Sequence, residues 1–341
     1  ISACLVGSEM CIRDSSYINV YDAAHDPPYP PYIASVNMQV SDIAFNSSNG
    51  KIYAALPSGY NNIGNSLVAI DPRTGLVGSP MYVGSEPNEL TVSSDGSYVW
   101  SALTGAGSVA RFNTAQGKDD LINFLAIGSG GTPINPSQLL AIPGEPNSLV
   151  VAEFGNLAVF DGTVQRPTLG SDFDGSSIAI DPTGGIVYGQ GADSNERFLT
   201  FNISNSGITQ TSSTPNLIHQ PGVPLVVDSG LVYASDGEVV DPQALKTVAA
   251  LNVRNTTQFV LADDTNGAIY YVDSGKITAF SSKTHALLFS ITVPIISPLE
   301  SAVLCAPGVV ALNTTFQTFI VNLGQSSALS ATHTYSSGLQ M

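Results

Sequence analysis

Three short acidic stretches hold the side chains in this sequence best suited to binding a charged ligand. Asp172-Phe173-Asp174-Gly175, Asp193-Ser194-Asn195-Glu196 and Asp263-Asp264-Thr265-Asn266-Gly267 place hard oxygen donors within a few residues of one another. That donor type suits Ca²⁺, which takes about six to eight oxygens, whereas any one stretch offers roughly three or four. None follows the EF-hand series. Each therefore reads first as a solvated turn, with Asp172, Asp174, Asp193, Glu196, Asp263 and Asp264 as the candidate calcium ligands. His25, His219, His285 and His333 show no metal-ligand spacing. There is no CxxCH haem attachment, GxSxG elbow, Walker loop or HExxH helix, so neither a catalytic residue nor a cofactor other than calcium is expected. Tyr60, in the extended loop PSGYNNIGN (57–65), is the candidate contact residue of a binding surface. Trp100, in YVWSA, reads as a filler between sheets.

The elements that must carry these residues recur. A β-rich run ending in Asp, Asn or Ser returns as SLVAID, SVARFN, LAVFD, FLTFN, GEVVD, KITAFS and FIVN. Its last residues are Asp71, Asn113, Asp161, Asn202, Asp241, Ser281 and Asn322, at steps of 42, 48, 41, 39, 40 and 41 residues. Around each anchor lie short Val/Ile/Tyr/Phe-rich runs separated by Gly, Asn and Asp. SDIAF-NSSNG-KIYAAL precedes Asp71, and NELTV-SSDG-SYVWSAL precedes Asn113. A step near 42 residues with four strands per unit is the period of a propeller blade. The fold expected is all-β: a seven-bladed β-propeller of four-stranded antiparallel blades. Two packed sandwiches would not explain the maintained step, and stacked β-helix rungs are shorter. IASVNM (33–38) is expected to pair with the C-terminal strands and close the ring. An eighth, truncated blade beginning at INVYD is the alternative.

The recurring acidic anchors read as turn residues. In Asp71-Pro72-Arg73-Thr74-Gly75 the carboxylate can accept backbone N–H bonds, Pro72 presets φ, and Gly75 can go left-handed. Asp181-Pro182-Thr183-Gly184 and Asp241-Pro242 repeat the device. The sequons at Asn46, Asn202, Asn255 and Asn313 also fall at strand ends or turns.

Charge narrows the partners. With 27 Asp+Glu against 11 Lys+Arg the net charge is −16, which repels phosphate backbones and argues against nucleic acid. No run approaches the ~18 apolar residues of a spanning helix. Residues 1–15 (ISACLVGSEMCIRDS) resemble translated sequencing-adapter sequence, so Cys4, Cys11, Met10 and Arg13 are read as foreign to the fold. Residues 16–32 read as the end of an upstream domain, INVYD, followed by the proline-dense linker HDPPYPPY. The propeller is expected over 33–335 and a tail over 336–341. That leaves Cys305, in SAVLCAPGVVAL, as a buried structural thiol.

The stretch NSLVAIDPRTGLVGSPMYVGSEPNELTVSSDGSYVWSALTGAGSVARFN (65–113) resembles bacterial YncE-like, YVTN-type propeller repeats, although IYAAL, YVWSA and LVYAS stand where YVTN would be. The resemblance extends over about 33–325 and is closest to secreted proteins carrying an Ig-like domain before the propeller. It implies the fold and an extracellular, periplasmic or cell-surface location. It brings no catalytic residues with it. The function expected is a noncatalytic binding or scaffold module that recognises a protein or glycan through loops on one propeller face, such as 57–65 and 128–137. The alternative is a lactonase-like or other hydrolase, for which acidic side chains and a histidine should converge in the central channel. A redox propeller holding a quinone or haem is a third possibility.

Overall fold

A computed structural model describes residues 9–14, 17–22, 34–124, 135–153, 155–171, 173, 177–191, 196–253, 257–293, 295 and 297–324. Seven antiparallel sheets, six of four strands and one of five, follow one another along the chain. Blade 1 is Ile43–Asn46, Lys51–Leu56, Ser66–Ile70 and Met81–Tyr82. Blade 2 is Pro87–Val92, Tyr98–Leu103, Ser108–Asn113 and Gly117–Phe124. Blade 3 has Gln138–Ala141, Ser148–Glu153 and Asn156–Asp161, with its outer strand split into Val164–Gln165 and Gly170–Ser171. Blade 4 is Ser177–Ile180, Ile186–Gln190, Arg197–Ser204 and Gly207–Pro215. Blade 5 is Leu225–Asp228, Leu231–Ala234, Glu238–Asp241 and Lys246–Ala250. Blade 6 is Phe259–Asp263, Ala268–Asp273, Lys276–Ser281 and Leu287–Thr292.

Blade 7 takes three strands from the end of the ring, Leu299–Ala306, Val309–Thr314 and Gln317–Asn322, and its outer strand from the beginning, Ala34–Asn37. The register is Ala34 opposite Ile320 and Asn37 opposite Gln317. This is the closure expected of IASVNM. Each blade's first strand packs beside the first strand of the next, and that of blade 7 packs beside that of blade 1, so seven blades complete the circle. INVYD adds no eighth blade. Tyr17–Asp22 is a strand, but it pairs with Glu9–Asp14 in a two-stranded sheet of its own. The proline-dense stretch 23–33 and residues 325–341 lie outside the described residues. Among the described residues there is no α-helix, only the 3-10 turn Asn61–Ile63.

The seven sequence anchors all fall at or near the end of a third strand, where in blades 1 to 6 the chain turns into the outer strand. At Asp71, Asn113 and Asp241 the side chain accepts amides of the turn. Asp71 Oδ1 accepts the Arg73 amide at 2.9 Å, Asn113 Oδ1 that of Ala115 at 2.9 Å, and Asp241 Oδ1 those of Gln243 and Ala244 at 2.9 Å. Gly75 closes the first of these turns at φ 70°.

Apolar burial is divided among the gaps between blades. Seven clusters of buried side chains fill seven interfaces, one per neighbouring pair. The strand alternation that gives each sheet two apolar faces therefore needs a neighbour on both sides, and only a closed ring provides one everywhere. Trp100 is fully buried between blades 2 and 3, and Cys305 is buried between blades 7 and 1.

Blade 3 departs from the pattern at Arg166-Pro167, where proline lacks the N–H a continuous outer strand needs. Arg166 is 7% exposed and ties the break down. Its guanidinium donates to Asp161 Oδ1 at 2.7 Å, Asp161 Oδ2 at 3.0 Å, Glu145 Oε2 at 2.5 Å and the Ser204 carbonyl of blade 4 at 2.9 Å. These bonds hold the Asp161 carboxyl below its usual range. Arg166→Ala is expected to cost about 2 kcal/mol in urea unfolding, below the roughly 3–5 of a fully buried pair because both carboxylates keep water contact. Asp161's pKa is lowered on folding, so its share of the penalty is present above the unfolded carboxyl value. The gap between wild type and variant should narrow as pH falls below about 4.

Candidate functional site

In blades 1, 5 and 6 a polar residue ends the first strand at the seam with the next blade. Asn46, at the end of Ile43–Asn46, is fully buried and donates from Nδ2 to the Gly96 carbonyl in the first turn of blade 2 at 2.8 Å. Asp263, at the end of Phe259–Asp263, is 1% exposed and accepts the Gly308 amide in the first turn of blade 7 at 2.7 Å. Asp228 ends Leu225–Asp228 and is 4% exposed. Its Oδ2 is buried and meets no donor. Across this seam the first turn of blade 6 brings Asp264 beside it instead of a satisfied amide. Burial and the Asp264 carboxyl together push the Asp228 carboxyl up to about 6.

An open pocket of about 400 Å³ lies over this junction. Asp228, Ser229, Asp264, Thr265, Asn266, Ser281 and Ser282 line it with oxygen donors, and Lys283 and Leu288 complete the wall with Gly267. Behind it, the fully buried Tyr233 donates its hydroxyl to the Ser282 carbonyl at 3.0 Å, and its ring stands edge-on to His285. The pocket is thus built on two rigid blades, with its turns held from below.

The acidic candidates part company here. Asp263 is taken up by the protein: besides Gly308 it accepts the Asn266 amide at 3.1 Å, Asn266 Nδ2 at 2.8 Å and the Tyr270 hydroxyl at 2.9 Å. Asp264, its neighbour, faces the pocket. Glu196 lies between the second and third strands of blade 4, at the opposite ends of the strands from the Asp264 turn, and its charge acts with Glu238 and Asp236 on His219. His219 pairs with Glu238 through both its backbone N–H and its ring, which holds its pKa above the ordinary value. Asp172, Asp174 and Asp193 lie outside the described residues, as do His25 and His333. Among the described residues no three His, Cys, Asp or Glu side chains gather as a metal-holding group.

Tyr60 is half-buried, its ring packed on the cluster between blades 7 and 1. Its loop is fastened rather than loose: Glu86 accepts the Ser58 amide at 3.2 Å and the Ser58 hydroxyl, and the Glu86 amide donates to Asn65 Oδ1 at 2.9 Å. Asn61, Asn65 and Glu86 sit at φ 47°, 59° and 52°, a concentration of left-handed backbone on one loop cluster. Of the other expected loop, 128–134 lies outside the described residues. Two of the sequons are structural: Asn46 and Asn313 are fully buried, and Asn313 Nδ2 donates to the Val40 carbonyl at 3.1 Å. Asn202 is exposed, and Asn255 is outside the described residues.

A second carboxyl pair flanks the first strands. Asp42, just before blade 1's first strand, accepts the Leu90 amide of blade 2 at 2.6 Å and is raised to about 6 by burial. Glu89, on blade 2's first strand, is raised to about 8 by burial and then by the Asp42 charge. Neither Asp228, Asp42 nor Glu89 stands out by motif. The signal that could have found Asp228 is its place in VVDSG, aligned with FNSSNG and ADDTNG, where the partner differs from copy to copy.

Comparison with solved structures returns β-propellers. Kuenenia stuttgartiensis hydrazine synthase superposes with a TM-score of 0.64, over 84% of this chain and 96% of that one, at 12% identity. The β-propeller domain of Cps50 (Swd1) from Myceliophteria thermophila gives 0.64 over 85% and 99%, at 15% identity. At these identities the likeness is one of fold. No protein-family model and no curated protein sequence matches the chain, so the YVTN-type resemblance rests on its motifs. Among the described residues no helix is long and apolar enough to cross a membrane.

Glu89 makes the fold pH-sensitive in a stated direction. Its folded pKa lies above the unfolded value, so the stability it contributes is full below the ordinary carboxyl range and is lost as pH rises through about 8. Between pH 5 and pH 9 the Tm of the wild type should fall by about 3 °C or more beyond that of Glu89→Gln, as read by differential scanning calorimetry.

Proposed function

We propose that this protein is an exported or cell-surface, noncatalytic binding module that engages a glycan through the polar pocket at the seam of blades 5 and 6. The observation that carries the reading is the lining itself. It consists of two carboxyls, hydroxyls, an amide and the Lys283 side chain, with one aliphatic side chain and no aromatic anchor. Protein–protein hot spots centre on buried Trp, Tyr or Arg in dry pockets, whereas a polyhydroxyl ligand is satisfied by many oriented oxygens. A glycan therefore fits the lining better than a protein surface does. The acidic surface favours neutral or amino sugars over sulfated or phosphorylated ones.

A glycan microarray probed with the labelled protein tests this. Retention of a defined set of neutral or amino glycans is expected, reduced at least tenfold by Asp264→Asn or Thr265→Val. Tyr60→Ala, on the opposite face, should bind as the wild type does. Binding that survives both pocket substitutions and is lost in Tyr60→Ala would move the site to the 57–65 loop. The absence of any retained glycan would overturn the reading.

A further inference from the structure

Three copies of one structural position behave differently, and the odd one opens onto the pocket. Asn46 and Asp263 end their strands by bonding across the seam to the next blade's first turn. Asp228 occupies the same position and is equally buried; Ser229 and Ser282 act on its carboxyl, but its Oδ2 has no donor. A buried carboxylate oxygen without a partner is costly, and a second carboxylate beside it adds repulsion rather than relief. Such an arrangement is stabilised by a positive charge placed between the two groups.

We infer that Asp228 and Asp264 bind a divalent cation, and that the cation is Ca²⁺. This rests on the reading of the seam pocket as a ligand site and names what the pocket holds. The donors select the metal. Ser229, Thr265 and Asn266 share the pocket lining with the two carboxyls and carry side-chain oxygens, although the Asn266 amide nitrogen is committed to Asp263. These are hard oxygen ligands with no imidazole or thiol among them, which favours Ca²⁺ or Mg²⁺ over zinc, copper or iron. The pocket is open and far larger than one ion, so waters or sugar hydroxyls can complete a sphere of about six to eight oxygens. That irregular, expandable sphere suits Ca²⁺ and not the compact octahedron of Mg²⁺. The net charge of −16 concentrates cations at the surface, and two charged ligands place the affinity in the range of extracellular modules, about 10⁻⁴–10⁻³ M. Lys283 stands at the pocket wall as the cation that Ca²⁺ must outcompete.

Isothermal titration of the chelator-stripped full chain with CaCl₂ tests the inference. One saturable site is expected, with Mg²⁺ at least tenfold weaker. Asp228→Asn and Asp264→Asn should each weaken Ca²⁺ binding at least tenfold. Thermal melting in EGTA checks that both variants fold, and 10 mM CaCl₂ should raise the Tm of the wild type more than that of either variant. No saturable heat in the wild type, or a titration unchanged by both substitutions, overturns the assignment. The glycan reading fails separately. Ca²⁺ binding with no glycan retained removes that reading and leaves the cation site, whereas glycan retention indifferent to EGTA, with no calcium heat, removes only the cation.

Discussion

The structure depends on apolar burial between neighbouring blades. A four-stranded sheet with two apolar faces is unstable alone, since each face exposes Val, Ile, Leu and aromatic side chains to water. Every sheet of this ring lends one face to each neighbour, and the seven clusters leave none unpaired. The strand Ala34–Asn37 is what makes the circle complete. It joins the start of the ring to its end, and Val36 from that strand enters the cluster between blades 7 and 1.

Polar groups follow from that constraint. Once the blades are pressed together, the polar side chains at strand ends must find partners across the seams or leave buried atoms unsatisfied. Asn46, Asn313, Asp263 and Asp42 each bond to the backbone of a neighbouring blade. Arg166 ties down the outer strand of blade 3 where proline breaks it. At the seam of blades 5 and 6 the same geometry leaves an unmatched oxygen facing a second carboxyl under an open pocket. Where Asn46 and Asp263 close their seams with such a bond, Asp228 leaves its own open to a ligand.

The repeats were legible because they are local. A strand, a turn and its Asp or Asn anchor occupy successive residues, so Asp71, Asn113 and Asp241 show their turn duty in the chain itself. The closing strand was legible for a related reason: the seventh unit lacked an outer strand and IASVNM was left over. The pocket was not. Asp228 and Asp264 are separated by a whole blade, and only the rotation between neighbouring blades brings them together. Asp263 and Asp264 are adjacent and chemically alike, yet one is enclosed by four donors and the other faces the pocket. Their difference comes from strand alternation at the end of blade 6, which composition does not reveal. Tyr60 reads as a contact residue from its loop alone, whereas the packing of its ring on the cluster between blades 7 and 1 depends on ring closure.

The central claim is that ligand recognition is local to one seam of a closed ring. Hydrogen exchange measured across the whole chain, with and without bound ligand, tests it most directly, because every blade reports in one experiment. The account predicts added protection confined to 228–231, 264–268 and 281–288, with the other five blades unchanged. Protection centred on 57–65 and 84–88, or spread evenly round the ring, would contradict it.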